Sequence, residues 1–324
     1  MSENKLPSYE ELFGNLDYSS ADEYRSVLSP GAYLTDIMDL KNWKYDHDAI
    51  DEKDVVDDRR EDISEILLNA ENTITEIPHL DIVNQIMENR VRTINAGVDP
   101  YSSLNAAKFP FNLPFNRYKT EISNILEYFK TDPVTFYKSF TASPQTNIEA
   151  REGLGLSAEE YQEFITPVID ADVLKEYYGL KADETLDDLL SVTRFRKAAE
   201  LSALQVTELF FQNLSDEERD AGVSLRFFIN QSTSVNAYLV INVVNVDENE
   251  EERIFLRTVS TDGTVTDVVP SNDYFDRINR FIRLSRKTDL SFADLDLVLI
   301  KACGSVLDEN ALQIISVVAW LQQT

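Results

Sequence analysis

Apolar residues recur at helical spacing along most of this chain, and start signals place the helices they predict. Ser29-Pro30 opens the first, with Ser at the N-cap and Pro at the first helical position, where a missing N–H costs nothing; Ala32, Tyr33, Ile37 and Leu40 follow on one face. Residues 1–27 read as a lead-in whose Tyr9, Leu12 and Phe13 make only a short amphipathic turn. Residues 46–62 are strongly charged and read as an exposed loop or helix end. Ile63, Ile66 and Leu67 form the next stripe, Asn69, Asn72 and Thr73 mark a turn, and a second helix begins at Thr75 and carries His79, Ile82, Val83, Ile86 and Met87. Residues 95–119 lack periodicity. Their FPFNLPF run (109–115) is expected to be extended, because each residue before a proline is pushed away from helix, with its aromatic rings anchored on neighbouring helices.

Helical patterning returns from 120 to 220, with an internal repeat. Gly155-Leu-Ser-Ala-Glu-Glu, Glu200-Leu-Ser-Ala-Leu-Gln and Asp289-Leu-Ser-Phe-Ala-Asp share a Leu-Ser pair with an acid or amide three residues after the Ser. That is capping-box spacing, with Asp294 a shorter partner than Glu160 or Gln205. The stretch 196–210 aligns with 286–299 after a one-residue gap, so each predicts a helix, a tight corner and a capped helix, paired in the manner of a solenoid.

Between 224 and 269 the period changes to two and β-branched residues dominate. SLRFFIN (224–230), NAYLVINVVNV (236–246), RIFLRTV (253–259) and TVTDVV (264–269) read as four short strands, with a hairpin turn at Asp262-Gly263 and an exposed loop at 247–252. Residues 274–324 are helical again and end on VVAWLQQT without a glycine stop, which reads as an interrupted helical segment. The expected fold is mainly α, with solenoid-like helix pairs interrupted by a small antiparallel β-insert. Its expected divisions are 1–27, 28–223, 224–269 and 270–324.

Charge narrows the function. Against 30 basic residues stand 58 acidic ones, a net charge of −28, which argues against binding nucleic acid or an anionic membrane surface. Cys303 is the only cysteine, in an apolar run, so it reads as a small core residue, and neither a disulfide nor a cysteine zinc site can form within the chain. There is no basic, then apolar, leader pattern at residue 1, and no run approaches the roughly 18 apolar residues of a membrane helix. His47 reads as solvent-exposed in an acidic stretch and His79 as a packed or capping residue. Adjacent acids such as Asp57-Asp58 and Asp187-Asp188 are unremarkable in so acidic a chain. Nucleophile-elbow, dinucleotide and phosphate-loop motifs are absent, and 247–252 lacks the glycine and spacing of a calcium loop. The chain is therefore expected to be no enzyme and to hold no cofactor or metal. The residues that stand out are arginines. Arg59 and Arg60, adjacent in an acidic stretch before a helix, suit a fork-bonded structural clamp better than an anion site. Arg277, Arg280, Arg283 and Arg286, three apart, form a basic stripe on a helix whose other side carries Ile278, Phe281, Ile282 and Leu284; the stripe is expected to pair with acidic surface of its own chain or of a neighbouring subunit.

Several motifs in this sequence resemble one family. LSPGAYLTDIMDL (28–40) is similar to the SPAAYLTELY segment of the A components of Tc (toxin complex) insecticidal toxins and of the plasmid-borne virulence A-protein. In the family's order there follow Arg59-Arg60-Glu61-Asp62-Ile63 (family RRPDL, with Glu61 in place of proline), NTITEIPHLDIVNQI (72–86), PFNLPF (110–115), DRINRFIRLSR (276–286) and LDLVL (295–299). The resemblance implies an irregular helical shell around a pore-forming translocation channel in a homo-oligomeric, pentameric subunit. It implies other toxin-complex components as partners, a toxic enzyme on a separate component, and a shell that opens with pH. It also implies release or cell-surface display after synthesis in a bacterial cytoplasm, and host-receptor contacts through regions absent here. Two other readings are a stand-alone virulence-associated binding module and, more remotely, a hydrolase.

Overall fold

A computed structural model describes residues 25–47, 67–210, 228–230, 237–246, 249–260, 262–304 and 306–323. The chain divides into two compact units, residues 1–90 and 91–324. Fourteen α-helices and a three-stranded sheet are present among the described residues.

In the first unit, α1 (Pro30–His47) starts where its cap predicts: the Ala32 amide donates to Ser29 Oγ (3.2 Å) and the Tyr33 amide to the Ser29 carbonyl (3.1 Å). The expected turn at 69–73 is instead a short helix, α2 (Ala70–Ile74), because Asn69 Oδ1 accepts from the Asn72 amide and caps it. Gly31 lets α1 approach α2, since a Cβ there would lie 2.9 Å from Thr73 Cγ2. The next helix begins at His79 rather than Thr75, after Pro78; α3 (His79–Ile94) runs across the unit boundary and buries none of its residues.

The second unit continues with α4 (Pro100–Ala106), α5 (Arg117–Tyr128), α6 (Pro133–Phe140), α7 (Thr146–Gly153), α8 (Ala158–Ile165) and α9 (Ala171–Tyr177). Helix α4 falls in the 95–119 stretch that lacks periodicity, and its start is an Asp-Pro cap: Asp99 Oδ2 accepts from the Ser102 amide at 2.8 Å. Asp132-Pro133 repeats the device at α6. The 109–115 run is not extended throughout. It folds into a turn in which the Leu113 amide donates to the Pro110 carbonyl (2.9 Å), and this turn inserts Phe111 into the core, edge-on to Tyr178 at 5.5 Å. Phe109 lies over Gly179, whose φ of +61° and lack of a Cβ both suit the close approach.

A 3-10 turn (Leu186–Leu190) then leads to α10 (Val192–Ala198) and α11 (Ala203–Phe210), and the chain ends in α12 (Asn272–Thr288), α13 (Phe292–Cys303) and α14 (Glu309–Gln323). The repeat is real in three dimensions. At each copy a left-handed residue, Gly155 (φ +66°), Glu200 (+52°) or Asp289 (+54°), turns the chain, a buried Leu follows, and Ser157, Ser202 or Ser291 caps the next helix. Ser157 with Glu160 and Ser202 with Gln205 exchange both capping-box bonds. The shorter Asp294 carboxylate instead accepts from the Ser291 hydroxyl (2.7 Å).

The sheet has order β1-β2-β3, all antiparallel: β1 (Ala237–Val246), β2 (Asn249–Val259) and β3 (Val265–Val268). The expected first strand lies outside the described residues except for Phe228–Asn230, which form a turn. The acidic stretch expected as a loop supplies the start of β2: Asn249 pairs with Val246 and Glu252 with Val243, the ladder overriding poor strand propensity. The Asp262-Gly263 turn forms as expected, with Gly263 at φ +83° and the Ser260 amide donating to the Thr264 carbonyl.

Candidate functional site

Helix α12 is the axis of the larger unit. Its stripe of Phe275, Ile278, Phe281, Ile282 and Leu284 is fully buried, with Phe281 stacked on Phe228 and packed on Phe292. The Tyr178 hydroxyl donates to the Phe275 carbonyl (2.8 Å). The side carrying the arginines is enclosed as well, which the spacing alone does not reveal: Arg280 and Arg283 are 7 and 4 % exposed.

Each arginine reaches a different segment of chain. Arg277 donates from Nε to the Ile229 carbonyl (2.9 Å) and from Nη1 to Asp273 (2.7 Å), with its guanidinium over the Tyr274 ring. Arg280 forks onto Asp276 Oδ2 (2.9 and 2.6 Å) and donates to the Phe164 carbonyl (3.2 Å); Asp276 Oδ1 accepts from the Val168 amide. Arg283 donates to Asn279 Oδ1 (2.6 Å) and to the carbonyls of Lys108 and Leu113, and stands over the Phe111 and Tyr177 rings. Arg286 donates to the Ala199 carbonyl (2.5 Å) and pairs with Glu200. Guanidinium suits this role because its rigid fork carries five donors and stays charged when buried. The four side chains staple α12 to the 108–113 turn, α8, the α10–α11 corner and the 228–230 turn.

Two carboxylates complete the setting. Glu163 lies 2.5 Å from Lys108 Nζ and 3.9 Å from Arg283, and Glu160 pairs with Lys287. Burial pushes Glu163 above the ordinary carboxylate range, with Lys108 opposing, and pulls Arg283 below its ordinary value, with Glu163 opposing. Tyr177 is pushed up to about 12, first by burial and then by Glu163. Nothing local marks Lys108 or Glu163 in the sequence; their partners lie tens of residues away.

Arg59 and Arg60 lie outside the described residues, as does Asp57-Asp58; His47 is the last residue of α1. His79 is exposed at the first residue of α3 rather than packed. Asp188 caps its own 3-10 turn through the Thr185 amide (2.7 Å). Cys303 is half-buried against the core, and burial pushes its thiol up. Among the described residues no group of three or more metal-ligating side chains assembles and no helix is long and apolar enough to cross a membrane. A cavity of about 680 Å³ lies between α6, α7 and α14, with Val134, Gly153, Ser316 and Trp320 in its walls, and its Lys138 and Glu149 pair with each other at 2.9 Å.

The arginines of α12 tie together a mostly helical fold, with Arg277 Nη2 the one buried guanidinium nitrogen among them left without a partner. The chain belongs to the family of the Salmonella virulence plasmid 28.1 kDa A protein, whose profile matches residues 1–219. Among solved structures, the cryo-EM structure of Morganella morganii TcdA4 superposes with a TM-score of 0.57 at 13 % identity, over 95 % of this chain and 18 % of that chain. The chain thus spans less than a fifth of that protein's length and shares its fold there. No curated protein matches the chain.

Proposed function

We propose that this chain is a structural and assembly segment of a Tc-toxin A-type subunit, part of a helical shell around a pore-forming translocation channel, with no catalysis of its own. The observation that carries the reading is the extent of the fold match, nearly the whole chain on one segment of TcdA4. The staple supports it: Arg277, Arg280, Arg283 and Arg286 lock the segment internally, as a load-carrying wall requires, and place no reactive group at a cleft. In this reading Arg59 and Arg60 clamp acidic groups of the first unit. The partners are further copies of the chain and other toxin-complex components, host-receptor contacts lie on other regions, and the assembly is released or displayed at the cell surface. A second reading is favoured by the family's namesake, which at 28.1 kDa is smaller than this 37.0 kDa chain: a self-standing virulence module.

Affinity isolation of the tagged chain from its producing cell separates the two. Co-purification in fixed stoichiometry with longer toxin-complex polypeptides is the expected result. A chain recovered alone, while those polypeptides assemble without it, contradicts the shell role and favours the module.

A further inference from the structure

We draw no further inference here: the strongest candidate, the cavity of about 680 Å³ between α6, α7 and α14, has Lys138, Glu149, Glu152 and Lys287 of its wall already held in ion pairs within the chain, and nothing in the structure shows what would fill it.

Discussion

Arg283 carries the largest local consequence in the structure. Its guanidinium supplies donors to two backbone carbonyls and an asparagine oxygen from inside the core, and no water can replace them without opening the packing around Phe111 and Tyr177. Removing one member of a buried charged network costs about 3–5 kcal/mol because the remaining groups stay buried and unmatched. Arg283→Ala is expected to lose that much in urea unfolding. Arg283→Lys should lose part of it, since a single ammonium cannot span three acceptors. A loss below about 1 kcal/mol for Arg283→Ala would show that the staple does not hold the 108–113 turn. Glu163, beside it, gives a pH signature. Its folded pKa is raised, chiefly by burial, so its contribution to stability is fully present below its ordinary value of 4.5 and is lost as pH rises through the folded value. Glu163→Gln, which keeps the neutral form, is expected to gain on wild type as pH goes from 4.5 to 7.5. Thermal unfolding of both proteins across that range measures the difference, and parallel curves would contradict the assignment.

At the element scale the corners are the shared design. Gly155, Glu200 and Asp289 occupy the same left-handed position before a buried Leu and a capping Ser, yet only the first is a glycine. A left-handed non-glycine residue costs roughly 1–2 kcal/mol, a cost Gly avoids while giving back part of it in unfolded-chain entropy. Asp289→Gly and Glu200→Gly are therefore expected to stabilise the fold by about 1 kcal/mol, the second slightly less for losing the half-exposed Arg286 pair, and Gly155→Ala to destabilise it by a similar amount. Chemical denaturation midpoints decide it; a destabilised Asp289→Gly would mean the aspartate side chain contributes beyond its backbone. These corners were legible because a capping box and a tight turn are local chemistry, written within six residues. So were Ser29-Pro30 and the Asp262-Gly263 hairpin. The beginning of β2 was not, because Glu250–Glu252 are strand only by virtue of the partners Val243–Asn245 across the hairpin. Helix α4 was missed although Asp99-Pro100 announces it, since the following seven residues carry too little periodicity to register.

Across the whole molecule the arginine stripe of α12 is expected from the sequence to pair with acidic surface of its own chain or of a neighbouring subunit; within the chain Arg277, Arg280 and Arg286 pair with Asp273, Asp276 and Glu200, while Arg280 and Arg283 are buried and Arg277 and Arg286 half-buried. What closes the arginine side is backbone carbonyl oxygen from Lys108, Leu113, Phe164, Ala199 and Ile229, all remote from α12 along the chain, and carbonyls leave no mark in a sequence. Self-repulsion from a net charge of −28 weakens the compact state. Raising sodium chloride from about 0.01 M to about 0.5 M, which shrinks the screening length to well under 10 Å, is expected to raise the melting temperature; a fall would mean that attractive pairs, such as Arg257 with Asp267, outweigh the repulsion. The most direct test of the account is a single-particle structure of the assembly isolated with this chain. It predicts density for α12 and its stapled neighbours inside a helical wall surrounding a channel. An assembly whose wall is complete without this chain, or a chain found only as a detached particle, would contradict it.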